Sequence, residues 1–295
     1  MSISGRLGRR SARYPKIGSE MSFAIGQPAM MSPSMASARG GRALTAYRRI
    51  PGPPRDPVKA RLLRLHVALL DRLGPQRWWH ARAPYEIAVG AILVQNTAWT
   101  NVEKALDVLR SRGLLSYEGL GPLSAAEIAP LVRSAGCFNV KARRLRAFLD
   151  FLGQEYGARV DAMEAEEPAR LREKLLGVAG IGPETADSIA LYAAGRRLFV
   201  IDAYTRRVFS RLGVIRGDEP YDVLQRRFMD ALPADAGLYG DYHAQIVLLA
   251  KDVCTRRPSC AACPLEALCP RIGVTATAGS DLEMAPDEGQ RQPVR

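Results

Sequence analysis

The stretch Arg172–Ala194, REKLLGVAGIGPETADSIALYAA, constrains the fold more than any other. A helix ends near Leu176, Gly180-Ile181-Gly182 turns the backbone sharply, and a second helix starts at Pro183, a residue suited to a first helical turn. Two glycines permit both the turn and a close approach of backbone to a ligand. The new helix N-terminus offers uncapped N–H groups and the positive end of the helix dipole. Together they form a seat for one phosphate that reads no base. A plain joint between two packed helices is the bland alternative for a lone G-x-G; the flanking apolar residues and Thr185-Ala186 make this string more specific.

The rest of residues 56–272 has helical periodicity. Val58–Leu73 carries a stripe of Val58, Leu62, Leu65, Leu69 and Leu73, and Gly74-Pro75 stops it. Helices are predicted over Tyr85–Gln95, Thr100–Arg112, Ala125–Ser134, Val140–Glu155, Pro168–Leu176, Glu184–Ala194, Thr205–Leu212, Tyr221–Ala231 and Tyr239–Val253. Ser124 and Glu127 have capping-box spacing. Short helices with short loops predict an all-α bundle. Residues 1–55 and 273–295 lack apolar periodicity and are predicted to be disordered tails. The first tail is acid-poor like a transit peptide but shows no secretory pattern, and Met21, Met30 and Met31 offer alternative starts.

Charge matters by its location. The net +12 places ten Lys/Arg against one acid in residues 1–55, so the folded part is only mildly basic. A polyanionic partner is favoured. The longest apolar runs, such as Ile87–Val94, are too short to span a bilayer, which excludes an integral membrane protein with helical spans.

Four of the five cysteines crowd into C-x5-C-x2-C-x5-C at Cys254, Cys260, Cys263 and Cys269. This clustering argues for a metal or cluster site in a reducing compartment, not a disulfide scaffold. Four thiolates in one loop suit a [4Fe–4S] cluster. Tetrahedral zinc is the rival, though zinc sites usually show two close C-x2-C pairs and only one is present. Cys137, in an apolar segment, is expected to be a buried small hydrophobe.

GIGPETA, followed by VIDAYTRRVFSRLG at 200–213, resembles the helix-hairpin-helix plus Gly/Pro–Asp motif of the endonuclease III superfamily. GAILVQNTAWTNV at 90–102 and CFNVKARRL at 137–145 also resemble segments of that family. The resemblance covers roughly residues 60–272 and is nearest the subgroup that includes 3-methyladenine glycosylases. The four-cysteine spacing is similar to the family's, with one residue fewer in its first gap. The resemblance implies an all-α, two-lobed helix-hairpin-helix DNA glycosylase fold with a C-terminal iron–sulfur cluster loop. The expected division is a first helix (56–83) belonging to the cluster lobe, a helical domain (84–199) ending in the hairpin, and a cluster lobe (200–272).

The family's chemical aspartate matches Asp202. A carboxylate there can stabilise an oxocarbenium-like sugar and orient or deprotonate water; it is also a good helix cap. Bifunctional members carry a lysine in the hairpin helix that forms a Schiff base and nicks the strand. Glu184 stands at that position, and a carboxylate cannot form the imine. Glu184 is thus either a second acid/base group or a favourable first-turn charge. The family's DNA-probing glutamine matches Gln95, with Asn96 beside it, and a flipped-out base leaves a gap for such a residue to fill. The expected DNA contacts are Gln95, Asn96, Gly180, Gly182, Glu184, Thr185 and Lys141, the last from the basic start of a helix that also holds Arg143 and Arg144. Trp78, Trp79 and Trp99 are candidates for a pocket that stacks a cationic alkylated base, although aromatics in a small helical protein are more often core.

The resulting expectation is a monofunctional base-excision-repair glycosylase acting on a damaged base in double-stranded DNA, as a monomer in the cytoplasm at the bacterial nucleoid, with a [4Fe–4S] cluster. The alternatives are a bifunctional endonuclease III with lyase activity on oxidised pyrimidines, and a DNA-binding protein that does no chemistry.

Overall fold

The computed structural model describes residues 56–76, 78 and 82–274. Trp79 and the two tail segments 1–55 and 275–295 lie outside the described residues. Among the described residues every regular element is helical, and none lies in a strand. No helix among the described residues is long and apolar enough to cross a membrane.

Eleven α-helices are described: α1 (Pro57–Leu73), α2 (Pro84–Leu93), α3 (Trp99–Ser111), α4 (Tyr117–Leu120), α5 (Ala125–Leu131), α6 (Phe138–Tyr156), α7 (Pro168–Leu176), α8 (Pro183–Ser188), α9 (Ala203–Arg211), α10 (Tyr221–Ala231) and α11 (Ala236–Asp252). Their ends follow local chemistry. Asp56 accepts the Val58 and Lys59 amides at 2.8 and 3.3 Å, and Gly74 at φ +68° ends α1. The Ser124–Glu127 capping box is present at the start of α5. Proline opens α1, α2, α7 and α8. The predicted helix over Glu184–Ala194 is α8 followed by a π-turn at Ile189–Ala193. Such turns recur at functional sites, and this one carries Tyr192.

Two hydrophobic clusters hold the helices. The first gathers buried side chains from α2 to the π-turn, with Ile87–Leu93 buried on every face. The second joins α1 to α9, α10 and α11 around Phe199, Phe209, Phe228 and Tyr242. Phe228 stacks on Phe199 at 4.7 Å and meets Phe209 edge-on at 4.8 Å. Tyr192 and Met229 pack against both clusters. Phe199, Val200 and Ile201 of the second cluster run buried into Asp202, the N-cap of α9.

The loop from α9 to α10 is fixed by Glu219, which accepts the Arg216 and Gly217 amides at 3.0 and 2.8 Å and pairs with Arg227 at 3.2 Å. Arg206 of α9 donates to the Gly217 and Glu219 carbonyls of the same loop. Burial raises the Glu219 carboxyl, but these donors prevail and hold it down at about 2. A depressed carboxylate stabilises the fold above its unfolded pKa and loses that contribution as pH falls through the folded value. Stability should therefore fall as pH drops from about 4.5 towards 2. Glu219→Gln should cost roughly 2 kcal/mol at pH 7 and remove this part of the acid dependence, as read by urea unfolding at a series of pH values.

Candidate active site

Gly180 turns the hairpin at φ +83°, and a Cβ there would lie 2.4 Å from Cγ of Arg144. Glycine is thus required twice, for backbone and for space. Gly182, at φ −92°, caps α8 in ordinary extended backbone, and a Cβ there would meet nothing within 4 Å. No side chain caps this helix start. The turn therefore presents an open N-terminal end, the geometry that receives a phosphate.

Gln95 is brought to this turn. Its amide nitrogen donates to Thr185 Oγ1 at 2.8 Å and lies 3.2 Å from the Gly180 carbonyl, while Arg144 donates to its Oε1. In the free protein Gln95 is thus a strut between the hairpin and α6. Asn96 is exposed beside it in the left-handed region, φ +54°, a conformation asparagine tolerates. Lys141 does not join them. It is 2% exposed and its ammonium donates to the Ala135 carbonyl at 2.5 Å, so the expected phosphate contact is corrected: it closes the turn before α6. Burial lowers its pKa. The cation that reaches the hairpin is Arg144. Cys137, expected to be buried, is exposed and left-handed at φ +43°, since it is the residue at which the chain turns into α6.

Asp202 caps α9, accepting the Thr205 amide at 2.6 Å, and is 7% exposed. Its second oxygen lies 3.4 Å from Nε2 of His243 on α11. Nδ1 of that ring is 2.8 Å from the Tyr192 hydroxyl, which donates to the Gly240 carbonyl at 3.1 Å. Burial alone would raise the Asp202 carboxyl; His243 and Thr205 outweigh it and hold the pKa below the ordinary carboxylate value. Glu184 goes the other way, raised first by burial around its carboxyl and then by the Asp202 charge, with His243 opposing. Glu184 as a whole residue is exposed, so its carboxyl borders the site with a path to solvent. Trp78 stacks on His243 at 6.3 Å and 27°. Trp99 instead opens α3, half-buried against the first cluster with the Arg82 guanidinium 5.5 Å over its ring. His243 and Tyr192 were not among the residues singled out from sequence.

The four clustered cysteines line one apolar cavity with Val208, Leu249 and Leu265. Their side chains are not drawn into a ready metal cage: among the described residues no three His, Cys, Asp or Glu are disposed to hold an ion. The donor chemistry nevertheless suits one. Arg211 lies 3.2 Å from Cys254 Sγ, and the Arg271 amide 3.4 Å from Cys269 Sγ. Burial pushes the Cys263 thiol up to about 11, with the other three sulfurs adding to the rise. Arg207 and Arg211 bind the Cys254 and Thr255 carbonyls, so the loop hangs from α9, the helix that Asp202 caps.

Residues 89–234 match the family described as HhH-GPD superfamily base excision DNA repair protein. A Methanocaldococcus jannaschii protein named as a candidate DNA repair glycosylase is 41% identical over 209 residues, covering 70% of this chain and 95% of the relative. A solved endonuclease III–DNA complex superposes with a TM-score of 0.61 at 21% identity, covering 72% of this chain and 95% of that one. The H. pylori 3-methyladenine DNA glycosylase bound to 1,N6-ethenoadenine gives 0.56 at 27% identity, covering 66% and 97%. The chain belongs to the HhH-GPD superfamily of base-excision DNA repair glycosylases.

The two hairpin glycines should separate under substitution. Gly180→Ala should lower both melting temperature and affinity for a duplex carrying a tetrahydrofuran abasic-site analogue. Gly182→Ala should leave the melting temperature within about 1 °C, as expected for a substitution without strain, yet weaken that duplex several-fold, because its methyl occupies the phosphate approach. Fluorescence anisotropy alongside thermal unfolding checks both.

Proposed function

We propose that the protein is a monofunctional DNA glycosylase that hydrolyses the N-glycosidic bond of an alkylated base flipped out of duplex DNA. The observation that carries the reading is the arrangement around Asp202: a buried carboxylate kept anionic by His243 and Thr205, facing a hairpin that bears Glu184 where a lyase would need an amine.

The seat at Gly180–Pro183 takes a backbone phosphate, and Gln95 and Asn96 stand beside it, where the vacated stack must be filled. The extruded base enters against Trp78, whose stacking on His243 makes a flat wall next to Asp202. Aromatic faces favour a cationic, alkylated ring. Such a base leaves as a neutral molecule, so departure needs little protonation, and positive charge develops on the sugar. Asp202 lies where that charge is stabilised and where it can take a proton from attacking water. Glu184, raised while Asp202 is lowered, is the group of the pair suited to carry a proton. A [4Fe–4S] cluster held by Cys254, Cys260, Cys263 and Cys269 would cross-link the loop that hangs from α9. Hydrolysis needs no electron transfer, so its contribution is structural.

Duplexes carrying 3-methyladenine, thymine glycol, uracil or an adenine–8-oxoguanine mismatch should distinguish the readings. Release is expected from the alkylated duplex, with strand scission only after hot alkali and no adduct trapped by borohydride. Asp202→Asn should lower the rate by roughly 100-fold or more. Spontaneous nicking would contradict the assignment, and binding without release from any duplex would point to a non-catalytic role.

The cofactor makes a separate prediction. Purified protein should hold about four iron and four sulfide per chain, and Cys263→Ser should lose both and unfold at lower temperature. One zinc per chain with no sulfide would refute the cluster.

A further inference from the structure

Asp187 is a buried carboxylate that the proposed chemistry does not use. It sits on α8, one turn beyond the phosphate seat, with a side chain 0% exposed. Three donors converge on it. Arg172 Nε approaches Oδ1 at 2.9 Å, Gln225 Nε2 approaches Oδ2 at 2.7 Å, and the Tyr221 hydroxyl interacts with the same carboxylate, helping to hold its pKa down. Both neutral partners then reach the segment that ends in Asp202. The Gln225 amide also donates to the Phe199 carbonyl at 2.8 Å, and the Tyr221 oxygen accepts the Ile201 amide at 3.3 Å.

That segment is buried outside any helix, with no strand among the described residues, so its polar groups need side-chain partners. Two of those partners are keyed to one carboxylate on the hairpin. Asparagine could not replace it without turning its NH2 group towards at least one of these donors. Arg172 supplies the countercharge, binding Asp222 at 2.6 Å and lying 5.8 Å over the Tyr221 ring. Burying a carboxylate this way is weak support for stability, since apolar packing often does as well; a fixed geometry is what it supplies.

We infer that Asp187 is a positioning residue: acting through Tyr221 and Gln225, it holds the Phe199–Ile201 segment to the hairpin and thereby sets Asp202 relative to the DNA-gripping turn. The inference rests on Asp202 being the reacting carboxylate. Misplacing a reacting group by about 1 Å can cost on the order of 100-fold in rate. The cost should appear in the chemical step and not in DNA affinity, because the seat itself is untouched.

The test uses the full chain with Tyr221→Phe, Asp187→Asn and Asp202→Asn side by side. Tyr221→Phe is the principal variant because it removes one oxygen and no packing. Single-turnover excision from a 3-methyladenine duplex, affinity for a tetrahydrofuran duplex, and amide exchange over residues 199–202 are measured on each. Tyr221→Phe is expected to slow excision roughly ten-fold with affinity unchanged within two-fold, and to speed exchange of the Ile201 amide while α1 exchange stays the same. Asp187→Asn is expected to show the same pattern more strongly. Excision by Tyr221→Phe within two-fold of wild type beside an inactive Asp202→Asn overturns this inference alone, as does unchanged Ile201 exchange. An Asp202→Asn variant excising at full rate overturns both readings.

Discussion

A carboxylate that stays charged at 7% exposure must be compensated mainly by protein groups, because little of it is hydrated. At Asp202 the compensation comes from two directions: the Thr205 amide at the start of α9, and the His243 ring on α11 with Tyr192 behind it. These groups come from three separate segments of the chain. The second cluster must therefore keep them in register, and its core rings Phe199, Phe209, Phe228 and Tyr242 pack on one another, with Phe199 three residues before Asp202. The depressed Asp202 and raised Glu184 express the same constraint electrostatically, since two carboxylates sharing one histidine do not hold charge equally.

The hairpin adds a second constraint, that of holding DNA without reading it. Gly180 and Gly182 do different work there. The first is shaped by Arg144, and the second leaves the helix start open. Arg144 also ties Gln95 down, so the residue expected to enter the DNA stack begins as part of the hairpin's own bonding. For Gln95 to fill the vacated stack as proposed, those bonds must be exchanged for contacts with DNA.

Much of this was legible in sequence where the signal is local. Ser124 and Glu127 form the expected capping box, Pro183 opens the second hairpin helix, and α7 and α10 begin and end where periodicity put them. The helical hairpin fold followed from such patterns and from the family resemblance. The site was legible only in part, because its second half is assembled by tertiary contact. His243 lies 41 positions beyond Asp202, and its one sequence signal was a polar residue, with Gln245, in the otherwise apolar run of α11. Lys141 looked like a surface cation because a basic helix start usually faces solvent; here the helix folds back on the Arg133–Ala135 turn and buries it. Cys137 failed for the opposite reason, since an apolar neighbourhood says nothing about a residue at a left-handed corner.

The proposed mechanism makes Asp202 and His243 one unit, and a double-mutant cycle tests that coupling. Asp202→Asn, His243→Gln and the double variant would be compared in single-turnover excision from a 3-methyladenine duplex, with melting temperatures confirming that each is folded. If His243 works by holding the Asp202 charge, each single change slows excision and the double variant is no slower than Asp202→Asn alone. Losses that multiply in the double variant would show two independent contributions and contradict the account.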